Sequence, residues 1–231
     1  MICDTIMSER SLIGDEMSKE QDFKTLYAKS LEKRDNLTVK QKKILEVSLE
    51  LFATQGFEAT TSAQIAEKAG VSAGSVYHHF QNKKELLIAV LTPLFSTGIQ
   101  TMADEFITST FEQKFVTFDD FITTIIADRM TFIHDNIWEL RLIFGQLLTN
   151  KSLADQIKKI IGAQMAKAVI PTIDRFKAEK KIIDLPDEVI CSFIFGPIIS
   201  YLGKLILNVD SSKLDEEIQY TSRLLIRSLC P

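Results

Sequence analysis

Several residue types are scarce in this chain, and each scarcity narrows the structures that it can form. The 231 residues include only three cysteines, nine glycines and five prolines. Cys3, Cys191 and Cys230 are widely spaced and odd in number, with no His or Cys at a metal-ligand interval beside them. This does not fit a disulfide framework or a zinc site. We therefore expect reduced thiols, a cytoplasmic location, no metal and no other cofactor.

Long hydrophobic runs and alternating β-branched stretches are also missing. The longest uncharged run, residues 189–203, contains Gly196-Pro197 and is short for a membrane span, so we expect a buried interface helix there and no membrane partner. Apolar residues instead recur three and four positions apart, which predicts an all-α fold. A secretory signal is not expected, because the N-terminus is interrupted by Asp4, Glu9, Asp15 and Glu16.

Positive charge is in slight deficit, with 27 Lys and Arg against 31 Asp and Glu and a formal net charge of −4. This balance argues against a nucleic-acid partner, since phosphate binding relies on positive charge. The deficit is uneven, because the segment from Leu37 to Phe95 has six Lys and five Glu, a net charge of +1, which leaves −5 for the rest. The acidity therefore lies outside this segment, which weakly supports a DNA-binding role for it.

The composition, with 45% hydrophobic and 25% charged residues, fits a globular protein of one or two compact units. We divide the chain into an N-terminal extension (1–37), a small helical bundle (38–95) and a larger helical domain (96–231). The extension is predicted to be either a loosely docked arm or an extra helix near DNA that uses Lys24, Lys29, Lys33 and Arg34. Its apolar residues would share one helix face; they are Phe23, Leu26, Tyr27 and Leu31.

Four helix starts follow one another in the bundle, each marked by a side chain able to accept a bond from an unpaired backbone N–H. These caps are Thr38, Thr61, Ser72 and Asn82. The first helix should end at Gln55, with Gly56 in the left-handed conformation, and the second at Gly70. Beyond the bundle the pattern predicts helices at 118–136, 137–149, 153–180, 187–207 and 212–229, the third of them kinked or split by Pro171.

Residues 60–80 read TTSAQIAEKAGVSAGSVYHHF, in which two short helices flank the turn Gly70-Val71-Ser72. This is the pattern of a helix-turn-helix, whose second helix enters the major groove of DNA. Together with ILEVSLELFATQGFEATT and NKKELL, the stretch resembles the TetR family of transcriptional regulators. The resemblance implies an N-terminal three-helix DNA-binding bundle and a C-terminal helical domain that binds an effector and dimerises. The chain departs from the family pattern at Ala63 and Ala73.

The residues expected to contact DNA lie on the second helix and at the capped helix starts, where backbone amides suit phosphate groups. For Tyr77 a packing role and a phosphate contact are equally open. Neighbouring His78 and His79 point about 100° apart on a helix, so groove contact is expected rather than a shared metal ion. The full set is Thr61, Ser62, Ser72, Ala73, Ser75, Tyr77, His78, His79, Lys83 and Lys84.

Aromatic residues are frequent in the C-terminal part, and most are expected in the core. A cavity among them would suit an apolar or aromatic effector. His134 beside Asp135 is also open to an acid–base role or, as the favoured alternative, to a plain helix-surface cluster. The candidate effector residues are Phe132, His134, Trp138, Arg141, Phe144 and Gln146.

The last two predicted helices occupy the positions that form a four-helix dimer interface in the family that the chain resembles. On that basis we assign apolar residues at helical spacing to this interface. They are Ile194, Ile198, Tyr201, Leu205, Leu214, Ile218 and Leu225.

These patterns predict a DNA-binding repressor that acts as a homodimer on a palindromic double-stranded operator and is released by a small effector. The alternative is a helical interaction protein with a degenerate DNA-binding head, which the alanines at positions 63 and 73 favour. An enzyme is not expected, because the sequence shows no paired carboxylates in a plausible cleft, nucleophile–base signature, Gly-rich phosphate loop or metal cluster.

Overall fold

The computed structural model describes residues 23–111, 115–148, 150–209 and 213–231, and for Thr97 and Ser109 only the backbone. Every regular element in these ranges is helical, which confirms the all-α prediction. The predictions for Cys3, for residues 1–22 and for a helix start at Ser212 lie outside the described residues. The chain forms two compact units, one reaching to Met102 and including Arg141–Gln146, the other comprising Ala103–Leu140 and Leu147–Pro231.

The first unit contains the predicted bundle, and each of its four predicted helix starts is confirmed. Thr38 and Thr61 form complete capping boxes with the glutamine three residues later, while Ser72 and Asn82 accept a bond from the backbone amide three residues on. Its helices are α1 Phe23–Glu32, α2 Val39–Gln55, α3 Ser62–Ala69, α4 Ala73–His79 and α5 Lys83–Pro93, followed by a π turn at Leu94–Gly98. The next helix along the chain is α6 Ile99–Phe111, of which the residues to Met102 belong to this unit.

Helix α1 is packed firmly into this unit. Its predicted apolar face is buried, with Phe23, Leu26, Tyr27 and Leu31 each at most 1% exposed. It lies against α2, α5 and the π turn. Residues 23–32 are therefore a docked helix rather than a loose arm.

Two glycines of the first unit have positive φ. Gly70 ends α3 at φ 68° and ψ 33°, the left-handed conformation expected there. Gly56 follows α2 at φ 88° and ψ 155°, a region restricted almost entirely to glycine, so the left-handed prediction for it is wrong. The chain takes this extended path because Thr60 Oγ1 donates to the Gly56 carbonyl at 2.8 Å and the Phe57 ring packs on a ring of α2.

The second unit is built around α7, which contributes the largest share of buried residues to its apolar core. Most of the phenylalanines of this unit pack in or against this core, while Phe193 is 48% exposed. The remaining helices are α7 Phe118–Asp135, α8 Ile137–Leu147, α9 Lys151–Gln164, α10 Ile170–Ala178, α11 Asp187–Ile206 and α12 Leu214–Leu229.

The predicted helix 153–180 is interrupted by a π turn rather than broken at its proline. The turn covers Met165–Val169, and Pro171 lies in the first turn of α10 directly after it. A proline is tolerated in a first turn because its missing N–H would be unpaired there in any case. An interruption near the proline could be predicted from the sequence, whereas the π turn before it could not.

Two helical stretches in the described residues, Lys83–Thr108 and Asp187–Ile206, are long and apolar enough to cross a membrane. Core helices of soluble proteins pass the same test, so this observation is weak evidence for a membrane.

Candidate nucleic-acid interface

Helices α3 and α4 are held together by short local bonds. Gly70 takes the left-handed conformation at the end of α3, and the amide of Val71 donates to the Ala66 carbonyl at 2.9 Å. The hydroxyl of Ser72 then accepts the amide of Ser75 at 3.2 Å and starts α4. Two short helices joined through such a turn form the helix-turn-helix that the sequence predicted.

Apolar side chains determine which side of α4 faces outward. Ile65, Val76 and Phe80 are 0%, 1% and 8% exposed. The opposite side of α4 therefore carries Tyr77 and His78 into solvent, with Tyr77 55% exposed. An aromatic side chain that protrudes this far is available to a partner surface.

The other predicted DNA-contacting positions differ in their accessibility. Thr61, Ser72, Ala73 and Lys84 are exposed, while Ser75, His79 and Lys83 are half-buried. The side chain of Ser62 is turned inward and only 8% exposed, which leaves its backbone amide as the group that could meet a phosphate.

Lys83 is bonded within the chain. Its Nζ donates to the carbonyl of Glu58 at 3.0 Å and lies 4.5 Å from the centre of the Phe57 ring. The ring of Phe57 packs edge-on against Phe52 of α2, with centroids 5.3 Å apart. The ammonium group therefore ties the start of α5 to the loop that precedes α3.

The rings of His78 and His79 lie 5.3 Å apart at an interplanar angle of 64°. Within the described ranges, no group of three or more His, Cys, Asp or Glu is placed to hold a metal ion. His78 is thus left on the outer side of α4 and His79 partly against the ring of Phe80, whose centroid is 6.3 Å away.

The candidate effector residues divide between the two units, with Phe132, His134 and Trp138 in the second and Arg141, Phe144 and Gln146 in the first. Nδ1 of His134 lies 2.9 Å from the hydroxyl of Tyr201, so this imidazole satisfies a buried phenol. Trp138 is 46% exposed.

Sequence reasoning missed Arg129 of α7. Its guanidinium carbon lies 3.9 Å from the centre of the Phe106 ring and 5.0 Å from that of Phe132, and its Nε donates to Asp128 at 2.5 Å. Burial lowers the pKa of Arg129, while Asp128 opposes the shift. The spacing of Arg129 and Phe132 on one helix was a visible signal, but Phe106 comes from α6 and could not be placed beside them from sequence.

The residues assigned to the dimer interface are mostly interior. Ile194, Ile198, Tyr201, Leu205 and Leu225 are at most 9% exposed and belong to the apolar core of the second unit, with Leu214 and Ile218 packed against it. The five buried residues cannot form a surface for a second chain as they stand, because their side chains are already covered, whereas Leu214 and Ile218 are partly exposed. The outward-facing apolar residues of the same two helices are Val189, Phe193, Ile199, Tyr220 and Leu224.

Comparison with known proteins agrees with this geometry. Residues 44–90 match the sequence family described as bacterial regulatory proteins, tetR family. The HTH-type transcriptional regulator SrpR of Pseudomonas putida is 49% identical over 51 residues, 22% of this chain and 24% of its own length. The HTH-type transcriptional repressor KstR2 of Mycolicibacterium smegmatis is 42% identical over 48 residues, 21% and 23% of the two chains. The match thus spans about a quarter of these curated relatives.

Solved structures extend the likeness to the fold of most of the chain. The transcriptional regulator FadR of Bacillus subtilis, solved in complex with stearoyl-CoA, superposes with a TM-score of 0.56 at 19% identity and covers 80% of this chain and 96% of its own. A TetR/AcrR-family regulator of Thermobifida fusca gives 0.58 at 19% identity over 79% and 94% of the two chains. The chain thus contains a DNA-binding segment that matches the tetR family, within an all-helical fold like that of solved TetR-family regulators.

Proposed function

We propose that this chain is a cytoplasmic transcriptional repressor, which binds a palindromic operator as a homodimer and is released by a small effector. The observation that carries the proposal is the outward side of α4, held between capped helix starts at Ser72 and Asn82. Tyr77 and His78 project from this side, which is the one expected to enter a major groove. The starts of α3 and α5 would meet the flanking phosphates.

Dimerisation would use the outer sides of α11 and α12. Val189, Phe193 and Ile199 of α11 are 49%, 48% and 64% exposed, and Tyr220 and Leu224 of α12 are 55% and 65% exposed. Exposed apolar residues grouped on two helices mark an interaction surface, and a two-fold interface presents the same patch on both chains. A palindromic site follows, because one short recognition helix reads only a few base pairs.

The effector would be apolar or aromatic. FadR of Bacillus subtilis, which shares the fold, was solved with stearoyl-CoA, a ligand with a long apolar acyl chain. In this chain the rings of Phe106 and Phe132 flank Arg129, which is paired with Asp128; the anionic end of an apolar ligand would compete with that carboxylate for the guanidinium. Arg129 and Phe106 are thus further candidate effector residues, beside the six proposed from the sequence.

A gel-shift experiment with the duplex DNA upstream of the chain's own gene tests DNA binding. We expect a sequence-specific shift that competitor DNA of random sequence does not remove. A protein that shifts neither this duplex nor any sequence selected from a random library would be the helical interaction protein that is the alternative.

Release by an effector is tested by titrating a ligand, found by thermal-shift screening, with and without operator. An effector can release the operator only if it binds the DNA-free arrangement better. A coupling of about 1–3 kcal/mol would weaken effector binding about 5- to 150-fold in the presence of operator. Equal effector affinities in both titrations would exclude this mechanism.

A further inference from the structure

Helix α5 carries a proline in its last turn, and the backbone around it departs from a regular α-helical ladder. Pro93 has no N–H to donate to the carbonyl four residues earlier. The amide of Leu94 donates to Leu91, three residues back, and the π turn Leu94–Gly98 follows before α6 begins. Helices commonly bend at such changes of hydrogen-bond register. We call this region, residues 90–98, the Pro93 joint.

One carbonyl of the Pro93 joint is bonded to the N-terminal helix. In a regular α-helix the amide of Leu94 would bond to the Val90 carbonyl. Here the hydroxyl of Tyr27 donates to that carbonyl at 3.0 Å, and both residues are at most 1% exposed. Burial, followed by the charge of Glu46, raises the pKa of Tyr27 well above its ordinary value, so the hydroxyl remains a donor.

A second bond reaches the joint on the other side of the proline. Nη2 of Arg34 donates to Oγ of Ser96 at 2.8 Å, and that hydroxyl donates to the Pro93 carbonyl at 3.4 Å. Helix α1 and the segment after it therefore contact the joint both before and after Pro93.

We propose that residues 23–34, which comprise α1 and the short segment after it, brace the first unit, and that Tyr27 and Arg34 are positioning residues that hold the Pro93 joint in one conformation. The brace lies outside the family match, which begins at residue 44. Helix α5 starts directly after α4, so the conformation of the Pro93 joint sets the direction of α4 relative to the start of α6. This inference rests on the proposed function, because it is DNA that α4 must meet.

Two substitutions that each remove a single hydroxyl group test the brace. Tyr27→Phe removes one hydroxyl, and Ser96→Ala removes the acceptor for Arg34 without changing charge. We expect each to speed amide hydrogen exchange in peptides covering residues 86–98 by roughly 3- to 10-fold, the equivalent of one hydrogen bond. Affinity for the duplex that the unchanged protein binds in gel shifts should fall by up to the same factor.

Tyr201→Phe is the matched control, because it removes another buried tyrosine hydroxyl, the one 2.9 Å from Nδ1 of His134. It should lower overall stability without selectively speeding exchange at residues 86–98. The brace is refuted if Tyr27→Phe and Ser96→Ala leave this exchange unchanged, or if Tyr201→Phe accelerates it equally. Faster exchange with unaltered DNA affinity would refute the positioning role.

A charge-matched pair separates bracing from direct attraction to DNA. Arg34→Gln and Lys33→Gln each remove one positive charge from adjacent positions, but Lys33 is exposed whereas Arg34 contacts the joint. We expect only Arg34→Gln to weaken DNA binding and speed exchange, and to be non-additive with Ser96→Ala. Equal weakening by Lys33→Gln would assign the effect to charge. If the unchanged protein binds no duplex, the proposed function fails. Amide hydrogen exchange at residues 86–98 would still show whether α1 and Arg34 hold the Pro93 joint.

Discussion

Lys83 and Lys84 are adjacent in sequence, but their side chains lie in different environments. Lys83 bonds the Glu58 carbonyl and lies over the Phe57 ring, whereas Lys84 extends into solvent. A lysine in the first kind of site stabilises the free protein, and one in the second kind is available to a phosphate.

We therefore expect Lys83→Met to lower the free energy of unfolding by about 1 kcal/mol, the contribution of one hydrogen bond. Lys84→Met should leave it unchanged within about 0.5 kcal/mol. Lys84→Met should instead weaken binding to all duplex sequences alike and reduce the salt dependence by about one phosphate contact. Urea denaturation and gel shifts at several salt concentrations measure these effects. Equal stability losses in the two variants would contradict the assignment.

Single residues could be predicted from sequence only where their role is local. The caps at Thr38, Thr61, Ser72 and Asn82 were identified because each acts on an amide three residues away. The partner of Lys83 lies 25 residues earlier, and the partner of Arg129 is on another helix, so no local pattern indicated either contact.

At the scale of helices, the two glycine ends of α2 and α3 differ in what they would tolerate. A Cβ added at Gly56 or at Gly70 would have no neighbouring atom within 4 Å. The backbone conformation alone therefore decides how much a substitution there destabilises the fold. Asn at position 70 adopts the left-handed conformation with little strain, whereas position 56 lies in a region that only glycine occupies readily.

We expect Gly70→Asn to cost less than about 1 kcal/mol of stability and Gly56→Asn about 1–3 kcal/mol. Thermal or urea unfolding of the two variants measures the difference. Comparable losses would show that the ends of α2 and α3 are equivalent, against the geometry described.

Glu50 links three helices of the first unit, because its carboxylate lies 3.0 Å from Lys68 Nζ of α3 and 3.8 Å from Lys24 Nζ of α1. The hydrogen bond from Lys68, opposed by partial burial, lowers the pKa of Glu50 below its ordinary value. A carboxyl whose pKa is lower in the folded than in the unfolded state stabilises the fold above the unfolded value. That contribution is lost as the pH falls through the folded value.

Glu50→Gln should therefore lower the urea midpoint at pH 7 and have no effect under acidic conditions in which wild-type Glu50 is protonated. The effect at pH 7 is expected to be modest, because all three side chains are partly exposed. Glu67→Gln, at an exposed position of α3, is the control and should change the midpoint at neither pH. A pH-independent loss in Glu50→Gln would point to packing instead of charge.

At the scale of the whole molecule, we expect the outer side of α11 to decide whether two chains associate. Phe193→Lys places a charge in the proposed interface and should yield a monomer at micromolar concentration in light scattering, with helix content unchanged. Ile161→Lys makes the same kind of change at a 56% exposed position of α9 and should remain dimeric. A wild-type protein that is monomeric with and without DNA would exclude dimerisation altogether.

The sequence predicted the position of α11 but not which of its sides is buried. Ile190, Ile194 and Ile198 face the core, whereas Val189, Phe193 and Ile199 face outward, one position away in each case. A helix that is apolar around most of its circumference carries no periodicity to distinguish the two sides. The helix-turn-helix was predictable because its apolar residues occupy one side of two short helices and its turn requires glycine.

Trp138 is the only tryptophan of the chain and is 46% exposed on α8. We therefore expect its indole to emit at a longer wavelength than a buried indole and to be accessible to the quencher iodide. A ligand that covers this ring should shift the emission toward the blue and shield it from the quencher. An effector that covers Trp138 could therefore be detected by intrinsic fluorescence, without dyes, fusion tags or an operator sequence.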